Sequence, residues 1–596
     1  MICGIISISR GKSEGRPEGA KRPTAGDEPR EFTSRGEGGR VPPFFEKLRF
    51  AVNFVAIWVS LGNPGWYCIV GKKMLRGGTV ALKKQIGQLF VIGYQGIDPS
   101  PEFIEFVKEW GIGGVIFFVR NIQDPLHLPK VIDRLQEASG QTIFSAIDQE
   151  GGLVLRVLKG GSLFPGAMGL AASGDCDMVR RVAVAIAQEM RSLGLNWNLA
   201  PVLDISHAEN PGIGARSFGD KPDLVARYGI PFIQGLQEGG VLACAKHFPG
   251  KGQAKLDSHL SLPTIPFDRE HLMRNELHPF RAAIEAGVAA IMTAHVFFPA
   301  FESTPDLPAT LSPRVLTELL RKDLGFNGLL ITDDLEMGAI TAAFGVADAA
   351  KRSFLAGADL LLICHDLERA RETANAVLEE ISSSEFAHRR LQESLDRIEK
   401  ARIRLGSGSI RDMNLLELAA KHAPLMEEAH RSSVLVHSFR EGAFPLKRSE
   451  KILAFCPKIA SLVQVEEAHQ QGGFLPLVES RFPNTTGMTF EPKGSSEEIL
   501  GAFEALTERS YSNAPLLLFS YNAHLFRGQA EALRRISVEH HPTIVIAVRN
   551  PYDLSLFSDC DASMATFGFR TPSIDAALAI LDGTDPVRRI PWPVSL

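Results

Sequence analysis

The sequence predicts a (β/α)₈ barrel of the TIM type followed by a smaller α/β/α sandwich, and three observations carry that prediction. From residue 83 to about residue 400, short β-branched apolar runs alternate with amphipathic helical stretches. Eight such runs occur, the number that closes a parallel barrel. Beyond a Gly-Ser break within residues 398–414 the alternation resumes as a second, shorter series.

At 596 residues the chain is long enough for two or three domains with full cores. The expected boundaries are 1–74 for a low-complexity leader, 75–404 for the barrel, 405–415 for a linker and 416–596 for the sandwich. A net charge of −5 offers no basic field to a polyanion, so no nucleic-acid partner is expected. Seven widely scattered cysteines, an odd number, make neither a disulfide framework nor a zinc pattern, which points to a reducing compartment.

The leader comes first in the chain. Residues 8–42 are rich in Gly, Arg, Glu and Pro without periodicity and cannot bury enough surface to order themselves. Residues 50–71 carry no charge, but Asn53 and the Gly-Asn-Pro-Gly break at 62–65 leave about a dozen unbroken apolar residues, short of a membrane span. The expected reading is an over-extended start, with Met74 as the true first residue and a cytoplasmic protein. The competing reading is membrane association or export through residues 50–71.

The barrel strands follow in order. They are QLFVIG (88–93), GGVIFF (113–118), TIFSAID (142–148), NWNLAPV (196–202), VLACAKHF (241–248), AAIMTAHV (289–296), GLLITDD (328–334) and DLLLICHD (359–366). Stretches such as 178–194 and 270–287 between them have helical periodicity. Asp148, Asp204, Lys246, His247, His295, Asp333 and His365 all fall at the C-terminal ends of these runs. In a barrel that end is the mouth, where active sites are built.

Individual residues suggest roles. Asp333, leaving an apolar run, could attack a sugar carbon and stabilise an oxocarbenium-like transition state. Asp334 should face the other way and cap the next helix. The stretch KHFPGKGQAKLDSHLSLP (246–263) reads as a strand end followed by a loop, with Gly250 and Gly252 letting the loop swing. On it His259 titrates near neutrality, and Asp257 can hold its tautomer and favour its protonated form. Lys246 and His247 could bind sugar hydroxyls. Asp148 could chelate two vicinal hydroxyls or pair with Arg156, and the glycine-bearing loop at 210–220 delivers Arg216 to the same mouth.

Together DQEGG, NLAPVLDI, RSFG, KHFPGKG with DSH, MTAHV and ITDDLEM resemble glycoside hydrolase family 3, in its β-N-acetylglucosaminidase branch, over residues 85–400. The resemblance implies Asp333 as nucleophile, His259 as general acid/base and Asp257 as its dyad partner. It implies Asp148, Arg156, Arg216, Lys246 and His247 as substrate contacts, with no metal and no organic cofactor. One position departs: the family often has histidine where this chain has Lys251, a residue not counted as catalytic.

After the linker, SSVLVHS (432–438), KILAFCP (451–457), APLLLFSYN (514–522) and PTIVIAVRNPYDL (542–554) predict a parallel sheet between helices. SYNAHLFRGQ, VRNPYDL and TFGFRTPS resemble the C-terminal domain of two-domain family members. No Gly-rich dinucleotide fingerprint follows these strands. The expected activity is a retaining exo-β-N-acetylglucosaminidase acting on peptidoglycan-derived muropeptides or similar small β-linked N-acetylglucosamine substrates. The alternatives are phosphorolysis of the same bond, a β-glucosidase-like hydrolase of the same family, and a non-catalytic sugar-binding protein.

Overall fold

A computed structural model describes residues 55–57, 68–70, 76–254, 262–405, 414–459, 473–508, 513–588 and 590–596. The chain divides into two compact units, Met1–Leu75 and Arg76–Leu596. In the first, Val55–Ile57 pairs antiparallel with Cys68–Val70; the rest of the uncharged run at 50–71 lies outside the described residues. Among the described residues no helix is long and apolar enough to cross a membrane.

The second unit opens with the barrel. Its strands are β1 (Phe90–Ile92), β2 (Gly114–Phe117), β3 (Phe144–Ile147), β4 (Trp197–Asn198), β5 (Leu242–Phe248), β6 (Ala290–Thr293), β7 (Leu329–Ile331) and β8 (Leu361–Ile363). Every neighbouring pair is parallel, in the order β8-β1-β2-β3-β4-β5-β6-β7. A bridge from Ile331 to Leu360 joins the two ends and closes the cylinder. Each strand lies inside the run predicted for it. Each is buried along its length, as parallel strands covered on both faces must be.

Local chemistry sets the helices between them. Pro101–Trp110 starts where the Ser100 hydroxyl accepts from the Phe103 N–H, with proline in the first turn, and ends at Gly111 in the left-handed region, φ 61°. Phe103, Phe106, Val107 and Trp110 form its buried stripe at the helical spacing. At the strand-entry end of the barrel, Asp359 accepts from Arg321 (2.5 Å), Arg390 (2.7 Å) and Arg397 (3.0 Å). That cluster ties the helix Glu385–Leu405 to the start of β8, on the face that reads as structural.

The second sheet has strands β9 (Leu435–Phe439), β10 (Ile452–Pro457), β11 (Thr485–Phe490), β12 (Leu516–Ser520), β13 (Thr543–Ala547) and β14 (Ala562–Ala565), ordered β9-β14-β13-β12-β10-β11. Five are mutually parallel, as expected; β9 enters antiparallel at the edge beside β14. An edge strand escapes the parallel rule because no crossover helix has to return it to the sheet interior. Two strands had no sequence signal. β11 is a half-exposed edge with the sequence TTGMTF, and β14, ASMA, has small side chains in place of β-branched ones.

The two sheets share a contact built from the second domain's own motifs. Leu153, Val154, Met168 and Ala215 of the barrel belong to the hydrophobic cluster of the second domain. Asn550 Oδ1 accepts from the Ala215 N–H at 2.8 Å, Tyr552 and Ser206 share a hydroxyl hydrogen bond of 2.9 Å, and His524 Nε2 donates to the Ala208 carbonyl at 3.1 Å. Arg570 Nε donates to the Gly152 carbonyl at 3.3 Å. Gly214, at φ +43°, has no room for a Cβ, which would stand 2.2 Å from Asn550 Oδ1.

Substituting Asn550→Ala removes the acceptor of a buried N–H in this contact and should cost about 1–3 kcal/mol. Urea unfolding would show a lower midpoint with an unchanged slope.

Candidate active site

The C-terminal ends of the barrel strands surround a cavity of about 220 Å³. Ile116, Leu199, Met292 and Leu362 give it an apolar floor, while Asp148, Arg156, Arg216, Lys246, His247, Lys251 and Asp333 line its walls. The five predicted substrate contacts thus meet Asp333 in one place. Asp257 and His259 lie outside the described residues, between Ala254 and position 262.

β3 ends at Ile147, so Asp148 leaves the ladder at the mouth. Its Oδ1 accepts from Lys246 Nζ at 2.8 Å and its Oδ2 from Arg156 Nη2 at 3.3 Å. Glu150, two residues on and not singled out from sequence, accepts from Arg216 Nε at 2.9 Å and Nη2 at 2.7 Å, a bidentate pair. Lys246 Nζ also reaches Glu150 Oε1 at 2.7 Å. Burial alone would raise the Glu150 carboxyl, but the Arg216 and Lys246 charges more than reverse this and hold it at about 2. Burial likewise works against the Lys246 charge, and Asp148 and Glu150 overcome it to hold the ammonium above its ordinary value. Three cations and two anions therefore form a preset lattice. The Asp148 side chain is 11% exposed against 2% for Lys246, so its carboxylate is the member most open to a ligand.

Asp204 organises the next sector. Its Oδ2 accepts from His247 Nδ1 at 2.7 Å, and its Oδ1 from the backbone N–H groups of Lys251 (2.7 Å) and His247 (3.3 Å). Burial pushes this carboxyl up to about 6, against the pull of the Lys251 charge and those donors. Asn210 completes the clamp, its Nδ2 donating to the carbonyls of Lys251 and Gly252 at 3.0 Å each. Gly250 and Gly252 were expected to give swing. Gly250, at φ +119°, packs on Glu276, and a Cβ on Gly252 would stand 1.8 Å from the Ile205 carbonyl; residues 255–261 of that loop lie outside the described residues. Both glycines answer to close packing and backbone conformation.

Asp333 follows β7. Its N–H donates to Thr293 Oγ1 at 3.4 Å, its Oδ1 accepts from the Asp334 N–H at 3.0 Å, and its Oδ2 stands 3.4 Å from Lys251 Nζ. Asp334 lines the same cavity and closes a turn by accepting from the Glu336 N–H at 3.1 Å. It does not cap a helix: the next one begins at Gly338 behind Met337. The ladder stops at Ile331, so strand alternation no longer separates the two aspartates. His295 spends Nδ1 on Thr310 Oγ1 (2.8 Å) and Nε2 on the Asp334 carbonyl (2.9 Å), and burial lowers its pKa below the ordinary histidine value. Asp334, Cys364 and His365 bring ligand atoms within 4.8 Å of one another, and burial raises the Cys364 thiol well above its ordinary value.

Beneath the Gly250 turn lies Glu276, whose two carboxyl oxygens are buried without a hydrogen-bond partner among the described residues. His271 Nε2 stands 3.7 Å away, beyond hydrogen-bond reach. Burial pushes the Glu276 carboxyl up from 4.5 to about 7.

The pattern described as "Glycosyl hydrolase family 3 N terminal domain" matches residues 81–401, just over half of the chain. The chain is 32% identical over 387 residues to the Beta-hexosaminidase A of Pseudoalteromonas piscicida, covering 59% of this chain and 64% of that protein, just under two thirds. It is 36% identical over 261 residues to the Beta-hexosaminidase of Neisseria meningitidis serogroup C (strain 053442), covering 43% of this chain and 72% of the relative. The solved structure of a glycoside hydrolase family 3 beta-N-acetylglucosaminidase from Paenibacillus sp. str. FPU-7 matches with a TM-score of 0.78 at 34% identity, over 86% of this chain and 98% of that one.

The Glu276 geometry has a measurable consequence. Between pH 4.5 and about 7 the folded protein keeps a proton that the unfolded chain has released, so stability falls as pH rises through that window and then levels off. The full effect is about 3 kcal/mol. Glu276→Gln should remove this part of the slope, so that the variant gains on the wild type in denaturant unfolding at pH 8 relative to pH 5.

Proposed function

The chain belongs to glycosyl hydrolase family 3, and we propose from that premise that it is a retaining exo-β-N-acetylglucosaminidase, with Asp333 as nucleophile. One observation carries the reading: the Asp333 carboxylate faces a cavity whose opposite wall is the ion-paired lattice of Asp148, Arg156, Arg216 and Lys246. Preset charged donors and acceptors at fixed spacing suit a ring of hydroxyl groups, and the apolar floor lets the ring displace water. The similarity to beta-hexosaminidases favours an N-acetyl sugar. The proposed substrates are β-linked N-acetylglucosamine ends, as on peptidoglycan-derived muropeptides.

In the proposed first step an Asp333 oxygen attacks the anomeric carbon while the bond to the aglycone breaks. The departing oxygen takes its electron pair and a proton from His259, whose tautomer Asp257 holds. Water then attacks the same carbon, giving its proton back to His259, and the ester bond returns its electron pair to Asp333. Double displacement at one carbon retains configuration. Asp148 and Lys246 fix the ring while charge develops.

The test compares an aryl β-N-acetylglucosaminide with the matching β-glucoside. Strong preference for the N-acetyl sugar, and a loss on the order of 10⁴ in kcat for Asp333→Asn with folding intact, are the expected results. Cleavage of the glucoside alone would replace this reading with the glucosidase one.

A further inference from the structure

Lys251 has no part in the mechanism above, yet it stands beside the proposed nucleophile. Its Nζ lies 3.4 Å from Asp333 Oδ2, with the two side chains only 10% and 14% exposed, so solvent screens the pair weakly. Its backbone is held on both sides: the N–H by Asp204 Oδ1 at 2.7 Å, the carbonyl by Asn210 Nδ2 at 3.0 Å. Gly250 and Gly252 are packed so closely against Glu276 and the Ile205 carbonyl that neither position has room for a Cβ. Asp204 is the other carboxylate that feels this cation, and it is already engaged by His247 Nδ1 and two N–H groups.

We infer that Lys251 is a charge partner that sets the balance between formation and breakdown of the glycosyl-enzyme, because esterification of Asp333 neutralises the carboxylate that stands 3.4 Å from its ammonium. This rests on Asp333 being the nucleophile. In the free enzyme the pair carries +1 and −1. When an Asp333 oxygen bonds to the anomeric carbon, the C–O bond to the aglycone breaks, its electron pair goes to the aglycone oxygen as that oxygen is protonated, and the neutral ester leaves the ammonium only its weaker interaction with the Asp204 carboxylate. In the second step water bonds to that carbon, its proton passes to the acid/base group, and the ester C–O pair returns to Asp333. The carboxylate then reappears against the waiting cation. An opposite charge at this range lowers a carboxyl pKa by about 1–3 units. Lys251 therefore makes Asp333 a weaker nucleophile and a better leaving group. It holds the intermediate's population down.

The experiment is rapid-quench mass spectrometry with the full chain and an aryl β-N-acetylglucosaminide, on wild type, Lys251→Met, Lys251→Gln and Lys251→Arg. The two neutral variants should show a burst of aryl alcohol and a covalent N-acetylglucosaminyl adduct that breaks down about tenfold or more slowly than in wild type. Lys251→Arg, which keeps the charge, should stay near the wild-type partition. Peptide mapping of the adduct separates the two possible failures. An adduct on Asp333 with an unchanged breakdown rate overturns the Lys251 role alone, as does a variant that changes only KM. An adduct on another residue overturns the nucleophile assignment and this inference with it.

Discussion

Burial of charge is the constraint on which the mouth of this barrel depends. Glu150 and Asp204 are removed from water, and an unpaired ion there would cost several kcal/mol. Each carboxylate can stay in place only if donors from other loops reach it at hydrogen-bond distance. Glu150 draws in Arg216 and Lys246; Asp204 draws in His247 and the Lys251 backbone. Loops following three different strands are thereby fixed against one another before any ligand arrives. This is preorganisation achieved by electrostatic necessity, which suits a site that has to meet developing charge without rearranging.

The same constraint explains what the second domain contributes. The loop at 204–217 carries Asp204, Asn210 and Arg216, and it has little regular secondary structure to hold it. Asn550, Tyr552 and His524 grip it from the second domain, while Arg570 holds the Gly152 carbonyl beside Glu150. The second sheet, with no nucleotide-binding fingerprint of its own, meets the barrel at the loops whose geometry matters most. Its three sequence motifs supply this contact surface.

Much of the fold was legible because parallel strands buried on both faces read as continuous apolar runs, and all eight barrel strands lie within such runs. β11 and β14 were not legible: one is a half-exposed edge whose threonines and glycine form no apolar run, and the other, ASMA, holds no β-branched residue. At the site, residues at strand ends were easy to find, since chemistry-bearing side chains there interrupt an apolar pattern. Glu150 was harder. It lies two residues past its strand, and its importance comes from Arg216, 66 residues away, a pairing that spacing cannot reveal.

Lys251 shows a different limit. Read as a sequence it is a variation in a glycine-rich turn, and lysine in a loop is ordinarily solvated. Its significance follows from two packing facts that are invisible one residue at a time. Gly252 packs too close to the Ile205 carbonyl for any Cβ, and Asp204 captures the Lys251 N–H in a turn whose lysine side chain lines the cavity. An ammonium delivered there has Asp333 within reach. A residue that looks like an ordinary loop lysine thus sets the electrostatics around the Asp333 carboxylate, because the backbone around it was already fixed by the carboxylate of Asp204.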